Sequence, residues 1–584
     1  MKSVNLEELI PGKPRLTNTV SLFIPRSVAS SRTNKTGSWR FARPVHRNQT
    51  APCTSACPAG NHIPKIEMHM SRNEIREAFD TLMMENPMPS TCGRVCFHTC
   101  EGACNRTDQE NPVAIRCLER YIGDTAIQHS FSLGIKPLPA NQRRIAIIGA
   151  GPAGLSAAYF LSLGGFSCTV FESTPEPGGV LRWGIPAYRL PKNILKQEID
   201  RILALGVDLR CNHPVDTDFF ARAAGEWDAV FVGPGLADSL SLGVPGDDLA
   251  EDGLAFLMDV QTGKVTRRQG RVAVIGGGNT AIDVVRTLKR LGADPIIVYR
   301  RRQEDMPAFG HEVRAALAEG IELQELAAPE SVRRTDDGLA LGIQAMKSGP
   351  AGSDGRSSVV PDAGNTRTLE LDGVISCIGA RLSGPWAGQM KADPLVLSHL
   401  TMSFGRAPVL FGGDAVNRVQ SVTDAIASGK QAAIALEAYF EHGREGIVRA
   451  MEVSGLGNGS ALSMEIWRSG TPDRDRKVVS PRDINTDYFD TKSRQEPLSA
   501  APESAAASFA EIEESFTPGQ ALDEAGRCYN CGFCNECDNC RIFCPEVSLI
   551  RESGKKVIDL DYCKGCGVCF AECPRSAISM EEEK

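Results

Sequence analysis

The sequence predicts an α/β chain in which two Rossmann-like domains are nested, with a small helical domain before them and a small cysteine-rich domain after them. Two strand–glycine–helix patterns begin at Arg143 and Arg271, and the closing strand and helix of the first pattern return only near Gly412. Most of the twenty cysteines lie near the two ends of the chain. The nested patterns predict the central domains, and the cysteines predict the flanking ones.

Composition and charge argue against some classes of function. The chain has 584 residues and a formal net charge of −8, which disfavours binding to nucleic acid. It contains no apolar run of about eighteen residues and no secretory signal, so we expect a cytoplasmic protein without membrane insertion. Residues 1–50 are rich in Arg and Ser, as in a transit peptide, but early glutamates and prolines favour a partner-binding arm.

The C-terminal region contains one cysteine motif twice. C-x2-C-x2-C-x3-C-P begins at Cys534 and again at Cys563. This is the spacing of two-cluster bacterial ferredoxins, in which the fourth cysteine of each motif binds the cluster of the other. We expect one 4Fe-4S cluster on Cys534, Cys537, Cys540 and Cys573, and the other on Cys563, Cys566, Cys569 and Cys544. Zinc would require separated pairs of thiolates, and disulfides would require an oxidising compartment.

A second cysteine-rich region lies near the N-terminus. Its short helices with apolar stripes bury little surface without a metal centre. Six closely spaced cysteines occur there: Cys53, Cys57, Cys92, Cys96, Cys100 and Cys104. They favour iron–sulfur clusters over a structural zinc ion or free buried thiols, and spacing alone leaves one or two clusters open.

The first dinucleotide motif joins a buried strand to an Ala-rich helix. Gly149 permits the tight turn, Gly151 lets the backbone approach a pyrophosphate, and Gly154 allows close helix packing. The diphosphate would then lie at the helix N-terminus. Glu172 ends the next strand, where it is either a ribose acceptor or a solvated carboxylate.

The second motif has Gly276, Gly278 and Ala281 at the three fingerprint positions. The next strand ends in Arg300 and Arg301, where the first domain has a carboxylate. Because a guanidinium can pair bidentately with a 2′-phosphate, we expect NADP(H) here. A solvated basic strand end, compatible with NAD(H), is the alternative.

The chain returns to the first domain at Gly413 and Asp414, where the carboxylate would bond a ribityl or phosphate group unless the segment is a plain turn. Residues 446–520 indicate an extended linker, either disordered or packed along a surface through its aromatic residues. The predicted domains are an arm (1–50), a helical iron–sulfur domain (51–135), an FAD-binding domain in two parts (141–245 and 381–445), an NAD(P)H-binding domain (246–380), the linker (446–520) and a ferredoxin domain (521–584).

Several strings together resemble a known family. Cys-Gly-Arg-Val-Cys with Cys-Glu-Gly-Ala-Cys, Gly-Ala-Gly-Pro-Ala-Gly-Leu, the long string from Pro177 to Lys192, and Gly-Gly-Asp-Ala are similar to the glutamate synthase small subunit. They are also similar to the N-terminal half of dihydropyrimidine dehydrogenase and to the large subunit of NADH-dependent ferredoxin:NADP oxidoreductase. The resemblance implies FAD in the first domain, NADPH in the nested domain and two N-terminal 4Fe-4S clusters.

Site residues can be assigned by this resemblance and the motifs. The FAD contacts would be Gly149, Gly151, Pro152, Ala153, Gly154, Glu172, Gly179, Arg189, Gly413, Asp414 and Thr423. The NAD(P) contacts would be Gly276, Gly278, Asn279, Thr280, Ala281, Arg300 and Arg301. The resemblance also implies one cluster on Cys57, Cys96, Cys100 and Glu119. No side chain is assigned a catalytic role, since the chemistry would take place at the flavin.

The sequence also departs from the family pattern. The relatives have a further C-x2-C before the position of Cys53, where this chain has Val-His-Arg-Asn-Gln-Thr. Only Cys53 and Cys104 then remain for the second cluster, and Cys92 with Cys117 could complete it. Cys528 and Cys531 exceed the needs of the ferredoxin motifs and have either a structural or a ligand role.

Three functions fit these modules. The first is an electron-transfer flavoprotein subunit that exchanges hydride with NAD(P)(H) and serves the catalytic subunits of a 2-oxoacid oxidoreductase or ferredoxin-like carriers. The second is a glutamate synthase small subunit that delivers NADPH electrons, which the C-terminal ferredoxin disfavours. The third is an electron-storage scaffold with a degenerate nucleotide site, which the intact glycine turns disfavour.

Overall fold

The computed structural model describes residues 35–236, 238–352, 355–386, 394–552 and 555–583. Most of the predicted N-terminal arm, residues 1–34, lies outside the described residues. The α-helices are α1 (Pro52–Ala56), α2 (Ile63–Ser71), α3 (Ile75–Met83), α4 (Pro89–Val95), α5 (Thr99–Gly102), α6 (Ile115–Gln128), α7 (Pro152–Leu163), α8 (Val180–Trp183), α9 (Lys192–Leu203), α10 (Thr217–Glu226), α11 (Gly253–Gln261), α12 (Asn279–Leu291), α13 (Gly310–Ala318), α14 (Val422–Ser454), α15 (Met464–Ser469), α16 (Pro502–Ala506), α17 (Pro518–Ala525), α18 (Asn539–Ile542) and α19 (Val568–Ala571).

The strands are β1 (Ala42–His46), β2 (Asn48–Thr50), β3 (Arg144–Ile148), β4 (Ser167–Phe171), β5 (Asp208–Arg210), β6 (Ala229–Val232), β7 (Asp238–Ser239), β8 (Glu251–Asp252), β9 (Arg271–Ile275), β10 (Asp294–Val298), β11 (Glu322–Gln324), β12 (Ala327–Arg334), β13 (Leu339–Ala351), β14 (Ser357–Leu371), β15 (Gly373–Ser376), β16 (Ala380–Arg381), β17 (Leu395–Val396), β18 (Leu400–Ser403), β19 (Val409–Gly412), β20 (Arg474–Val478), β21 (Leu549–Glu552), β22 (Lys555–Ile558) and β23 (Ile578–Glu582).

The chain forms two compact units. The larger contains Arg47–Glu536 and Pro574–Ala577, and the smaller contains the segment up to His46, Cys537–Cys573 and the segment from Ile578. In the smaller unit β1 pairs antiparallel with β23, and β21 pairs antiparallel with β22. Cys540 and Cys569 are buried with Leu549 and Ile578 in its core, as expected of a small domain built around its cysteines.

The first sheet of the larger unit has seven strands in the order β17-β18-β19-β6-β3-β4-β5. The run from β19 to β5 is parallel, and β17 and β18 are antiparallel additions at one edge. The buried run Ile145–Ile148 explains why β3 lies in the middle of the sheet, where both faces are covered. Helix α7 follows β3 directly and is buried along nearly its whole length.

The nested sheet has five parallel strands in the order β11-β10-β9-β15-β8. The chain leaves the first sheet after β6 and returns to it at β17, β18 and β19, so the whole nested sheet lies between. The outgoing β7 and the returning β16 pair antiparallel and form a two-stranded connection. A three-stranded antiparallel sheet, β12-β13-β14, is appended to the nested domain.

The segment predicted as an extended linker folds onto the larger unit. It includes α15, β20, α16 and the first residues of α17, and β20 pairs parallel with β2. Trp467 donates a hydrogen bond to Glu437 Oε2 at 2.5 Å, and the Phe489 ring lies 4.5 Å from that of Tyr529. These contacts agree with the surface-packed alternative rather than with a disordered tether. None of the helices in the described residues combines the length and the apolar character needed to span a bilayer.

Candidate functional site

The glycine turn after β3 leaves room for a diphosphate. Gly149 has φ 93°, and a side chain at Gly154 would collide with the carbonyl oxygen of Gly149. At Gly151, by contrast, no heavy atom lies within 4 Å of the position that a Cβ would occupy. The turn is therefore closed where the helix packs and open where a pyrophosphate would approach. Pro152 and Ala153 begin α7 immediately after it.

Glu172 lies beside this turn at the end of β4. Its Oε2 accepts a hydrogen bond from the Ala150 N–H at 2.8 Å, and its Oε1 accepts from the backbone and hydroxyl of Thr174 at 2.8 Å. Gly179 has φ 54°, and a Cβ there would lie 3.0 Å from the Cα of Gly151. Both predicted residues thus lie against the turn.

The returning segment brings Asp414 and Thr423 into the same unit. Burial, and then repulsion from Asp424, raises the pKa of Asp414 to about 6. Gly413 has φ 66°, and a Cβ there would lie 3.0 Å from the Cβ of Ala153 at the start of α7. Thr423 lies in the first turn of α14. The two domain parts therefore meet at the glycine turn.

Arg189 joins the two dinucleotide domains. Its guanidinium donates to both carboxylate oxygens of Asp283 on α12, at 2.9 and 2.8 Å, and lies 3.2 Å from Glu312 on α13. Its predicted contact with FAD stays a prediction, and the observed partners make it a link between domains.

The nested domain repeats the arrangement at its own turn. Gly276 has φ 143°, Ala281 is fully buried, and no heavy atom lies within 4 Å of a Cβ at Gly278. Asn279 Oδ1 accepts a hydrogen bond from the Phe309 N–H at 3.0 Å, and Thr280 follows it in the first turn of α12. The space at Gly278 matches the space at Gly151.

The two predicted arginines of this domain differ in exposure. Arg300 is exposed just after β10, whereas Arg301 is partly buried and donates from Nε to the carbonyl of Ser357 at 2.8 Å. An Arg that donates a hydrogen bond from Nε can still donate to a phosphate from its two terminal nitrogens.

One group of N-terminal ligands lies between α1, α4, α5 and α6. Burial, and then the nearby Glu119 carboxylate, raises the pKa of Cys57 to about 11 and that of Cys96 to about 12. The pKa of Cys100 is raised by burial and then by Cys57 and Cys96. The structure thus brings together the four residues that the resemblance implied. Thr423 Oγ1 lies 3.8 Å from the Cys96 sulfur, which places this group at the N-terminus of α14.

The carboxylate of Glu119 is held by hydrogen bonds from two side-chain amides. Its Oε1 accepts hydrogen bonds from Asn86 at 2.7 Å and Asn61 at 3.3 Å. Burial nevertheless raises its pKa to about 7. Nearby iron would stabilise the ionised carboxylate that burial disfavours.

A second group unites the remaining cysteines with a pair from far along the chain. Cys53 interacts with Cys104, Cys528 and Cys531, each of which raises the pKa of its thiol after burial has done so. Sequence reasoning left the role of the last two open. The sequence does contain a clue, because Cys528 and Cys531 have the C-x2-C spacing of the family pair that is missing before Cys53. More than four hundred residues, however, separate Cys53 from Cys528.

Cys92 and Cys117 lie elsewhere. The Cys92 sulfur donates to Asn86 Oδ1 at 3.8 Å, and after burial its pKa is raised by Glu119 and Cys96 of the first group. The Cys117 sulfur accepts from Arg116 at 3.6 Å. Neither contact places these cysteines beside Cys53 or Cys104.

The second C-terminal motif lines a small pocket in the smaller unit. Its lining includes all four predicted ligands of one cluster: Cys544, Cys563, Cys566 and Cys569. Burial alone would raise the pKa of Cys544, but hydrogen bonds from the Ser548 hydroxyl and neighbouring backbone amides lower it. Such donors favour the thiolate that binds iron.

The other predicted ligand set spans both compact units. Cys537, Cys540 and Cys573 belong to the smaller unit, and Cys534 belongs to the larger one. In the smaller unit Cys573 packs against the core that contains Cys540. The backbone N–H of Cys534 donates to Asn48 Oδ1 at 3.1 Å in the larger unit. Their joint role in one cluster stays a prediction.

The cysteines occur as thiols rather than as disulfides. All twenty cysteines lie in the described ranges, and none of them forms a disulfide there. Within those ranges, no three His, Cys, Asp or Glu side chains converge closely enough to hold a single metal ion.

Family models match three segments of the chain. The model of dihydropyrimidine dehydrogenase domain II, 4Fe-4S cluster, matches residues 35–131. The pyridine nucleotide-disulphide oxidoreductase model matches residues 143–429, and the 4Fe-4S binding domain model matches residues 556–579. These matches confirm the predicted fold class, from the N-terminal iron–sulfur domain through the nested oxidoreductase domains to the C-terminal ferredoxin-like domain.

Curated relatives cover most of the chain. The chain is 30% identical to NADPH-Fe(3+) oxidoreductase subunit beta of Geobacter sulfurreducens, over 83% of this chain and 76% of the relative. It is 35% identical to NADP(+)-dependent formate dehydrogenase subunit beta of Moorella thermoacetica, over 68% of this chain and 60% of the relative. It is 30% identical to the glutamate synthase [NADPH] small chain of Escherichia coli, over 67% of this chain and 88% of the relative.

Proposed function

The chain belongs to the family of iron–sulfur flavoprotein oxidoreductases that includes the glutamate synthase small chain, and from that membership we propose that its nested site takes NADP(H). Membership of this family identifies the chain as an electron-transfer oxidoreductase subunit of a multisubunit complex. Such a subunit uses FAD, NAD(P)H and 4Fe-4S clusters. The proposal concerns which nucleotide is bound, which residues hold it and which partner is served.

The single observation that carries the binding of two dinucleotides is the pair of open glycine turns at Gly151 and Gly278, one in each of the two domains. At each turn the backbone amides at the start of α7 or α12 present a partial positive charge to a diphosphate. FAD held at the first turn would supply hydride exchange with the nicotinamide, and clusters on the cysteines would supply single-electron transfer. The chain itself would bind and orient these groups through the two turns.

Arg300 and Arg301 support the choice of NADP(H). They follow β10, the position where a carboxylate would read a ribose 2′-hydroxyl and a guanidinium reads a 2′-phosphate. Replacing both with Ala should weaken NADPH binding by at least about tenfold, equivalent to about 1.4 kcal/mol, with little effect on NADH. Equal effects on the two nucleotides would contradict the choice of NADP(H).

The two turns allow a matched experiment, because Gly151 and Gly278 have φ of −76° and −86° and open space around them. Ala is therefore compatible with the fold at both positions. Gly151→Ala should purify without FAD, since its methyl group occupies the pyrophosphate position. Gly278→Ala should retain FAD but need at least about tenfold more NADPH to bleach the flavin absorbance anaerobically. Normal bleaching in Gly278→Ala would contradict the assignment.

For the partner we propose the catalytic subunits of a 2-oxoacid oxidoreductase in the cytoplasm, with electrons entering through the C-terminal clusters. Two complete ferredoxin motifs, which a glutamate synthase small subunit does not need, support this choice. Twenty cysteines, none of which forms a disulfide in the described residues, support a reducing compartment. Anaerobic copurification from the native host tests it: 2-oxoacid-dependent reduction of NADP+ by the isolated complex is expected, and copurification with a glutamate-forming subunit would favour the alternative.

A further inference from the structure

We propose that Cys53, Cys104, Cys528 and Cys531 bind a further 4Fe-4S cluster, so that the N-terminal iron–sulfur domain is completed by a C-x2-C pair from beyond the nested domains. The inference rests on the proposed function, because the cluster would carry electrons between the flavin and the other clusters. It goes further by assigning a ligand set that the N-terminal domain does not contain by itself.

Hydrogen bonds hold the C-x2-C pair between the segments that carry Cys53 and Cys104. The side-chain amide of Asn105, the neighbour of Cys104, donates to the Cys531 sulfur at 3.5 Å. One residue further, Arg106 donates to the carbonyl of Arg527, the residue before Cys528, at 2.8 Å. Both ends of the pair are thereby fixed to the segment that follows Cys104.

The segment before Cys53 holds the other side of the pair. The Gln49 N–H donates to the carbonyl of Gly532 at 2.8 Å, directly after Cys531. Asn530, between the two cysteines, donates from its side chain to the carbonyl of Pro64 at 2.8 Å. Contacts that start on both sides of Cys53 thus converge on residues 528–532.

The loop has the shape and the donors that a cluster requires. Asn530 has φ 49° and Gly532 has φ 71°, and alternation of such left-handed residues turns successive N–H groups inward to form an anion-binding concavity. The Asn530 N–H lies 3.4 Å from the Cys528 sulfur. A side chain at Gly532 would lie 2.6 Å from the carbonyl oxygen of Gln49, so Gly permits this close approach.

The four thiols interact with one another. Cys104, Cys528 and Cys531 are electrostatic neighbours of Cys53, and Cys104 is also a neighbour of both Cys528 and Cys531. Cys53 and Cys531 are buried, and Cys104 and Cys528 are partly buried. Thiolates grouped in this way repel one another unless iron compensates their charge. Iron binding is therefore the arrangement that makes this grouping favourable.

Two of the proposed ligands are close in sequence to ligands of other groups. Cys53 and Cys57 share the first helix and its C-cap, and Cys57 belongs to the group beside α14. On the other side, Cys534 follows Cys531 by three residues and opens the first ferredoxin motif. The proposed ligands are therefore close in sequence both to the Cys57 group and to the first ferredoxin motif.

The test counts iron and sulfide in the full chain, purified anaerobically with FAD. The double variant Cys528→Ala with Cys531→Ala should lose about four iron and four acid-labile sulfide per chain. Cys104→Ala should lose the same, and the triple variant should lose no more than either, because all three changes remove one cluster. A loss of about eight in the triple variant, or an unchanged iron content in the double variant, would overturn the proposal.

Two comparison variants separate the alternatives. Cys117→Ala should keep its full iron and sulfide content, and a loss of about four of each would make Cys117 a ligand and overturn the proposed set. Cys168→Ala, a buried thiol in β4, controls for loss of a core thiol. If the double variant does not fold, Cys531→Ser, which keeps a ligand oxygen, should retain iron and shift one electron paramagnetic resonance signal of the reduced protein. An unchanged spectrum would contradict ligation by Cys531.

Flavin bleaching distinguishes failure of the inference from failure of the proposed function. The double variant leaves both glycine turns intact, so NADPH should still bleach its FAD. Bleaching together with unchanged iron would reject only the cluster. Absence of bleaching in the unaltered chain would reject the proposed function.

Discussion

Asp414 shows how burial changes the ionisation of a single carboxyl group near the first glycine turn. Burial, followed by repulsion from Asp424, raises its pKa to about 6. An unfolded Asp has a pKa near 3.9. Between about pH 4 and pH 6 the folded chain therefore holds a proton that the unfolded chain has lost, and stability falls as pH rises through that window.

Asp414→Asn should consequently stabilise the FAD-depleted chain at pH 7.5 by up to about 3 kcal/mol, since it removes the cost of a buried, repelled carboxylate. The gain should shrink as pH falls through 6 and vanish near pH 4. Thermal unfolding of both chains across this range measures the difference. Asp337→Asn, an exposed change, controls for loss of one negative charge. A gain that is constant with pH would refute the interpretation.

At the scale of elements, the cysteine-bearing helix α4 is held by a helix of the FAD-binding domain. Glu198 on α9 is fully buried and accepts hydrogen bonds from the Ser90 N–H at 2.7 Å and the Thr91 N–H at 2.9 Å. These amides belong to the first turn of α4, where Met88 at the N-cap position provides no side-chain cap. A carboxylate from another domain thus serves as the cap of the helix that leads to Cys96.

Elements of this kind show what the sequence can and cannot predict. The strands before Gly149 and Gly276 and their helices were predictable, because buried strands, glycine turns and amphipathic helices are local patterns. The grouping of Cys53 with Cys528 was not, because it depends on how the segment after Ser454 packs back. The cap of α4 by Glu198 was hidden for the same reason. Local spacing therefore predicted the modules, and long-range packing decided how the modules share residues.

Glu198→Ala should destabilise the region around α4 by about 2–4 kcal/mol, because two buried N–H groups lose their acceptor. Hydrogen exchange of peptides covering α4 should accelerate accordingly. Glu198→Gln keeps one acceptor oxygen, so a loss of only about 1 kcal/mol is expected. Equal exchange in the Ala and Gln variants would show that the carboxylate does not cap α4.

At the scale of the whole larger unit, an ionic network fixes the segment after α16 to the iron–sulfur helices. Glu511 pairs with Arg94 at 2.6 Å and with Arg120 at 2.9 Å. Glu513 pairs with Arg116 at 2.9 Å and with Arg120 at 3.3 Å. The side chains of Arg94 and Arg120 are 4% exposed, so these pairs are shielded from solvent and depend on their carboxylate partners.

The network explains why the segment predicted as an extended linker packs against the protein. Burial alone would raise the pKa of Glu513, but Arg116 and Arg120 hold it below its usual value. The segment therefore adds negative charge to buried arginines, of which Arg94 and Arg120 also pair with Asp124. Since Cys528 and Cys531 lie downstream, docking of this segment also sets the starting position of the C-x2-C pair.

Removing both carboxylates should release the segment without unfolding the dinucleotide domains. Glu511→Gln with Glu513→Gln should accelerate limited proteolysis between residues 498 and 517 by at least about tenfold, since breaking buried pairs costs about 3–5 kcal/mol. FAD content should stay unchanged. Glu496→Gln is the matched control, because that side chain is 70% exposed in its pair with Arg494, and exposed pairs contribute only about 0–1 kcal/mol. Similar cleavage rates in the control and the double variant would show that apolar packing, rather than these ion pairs, holds the segment in place.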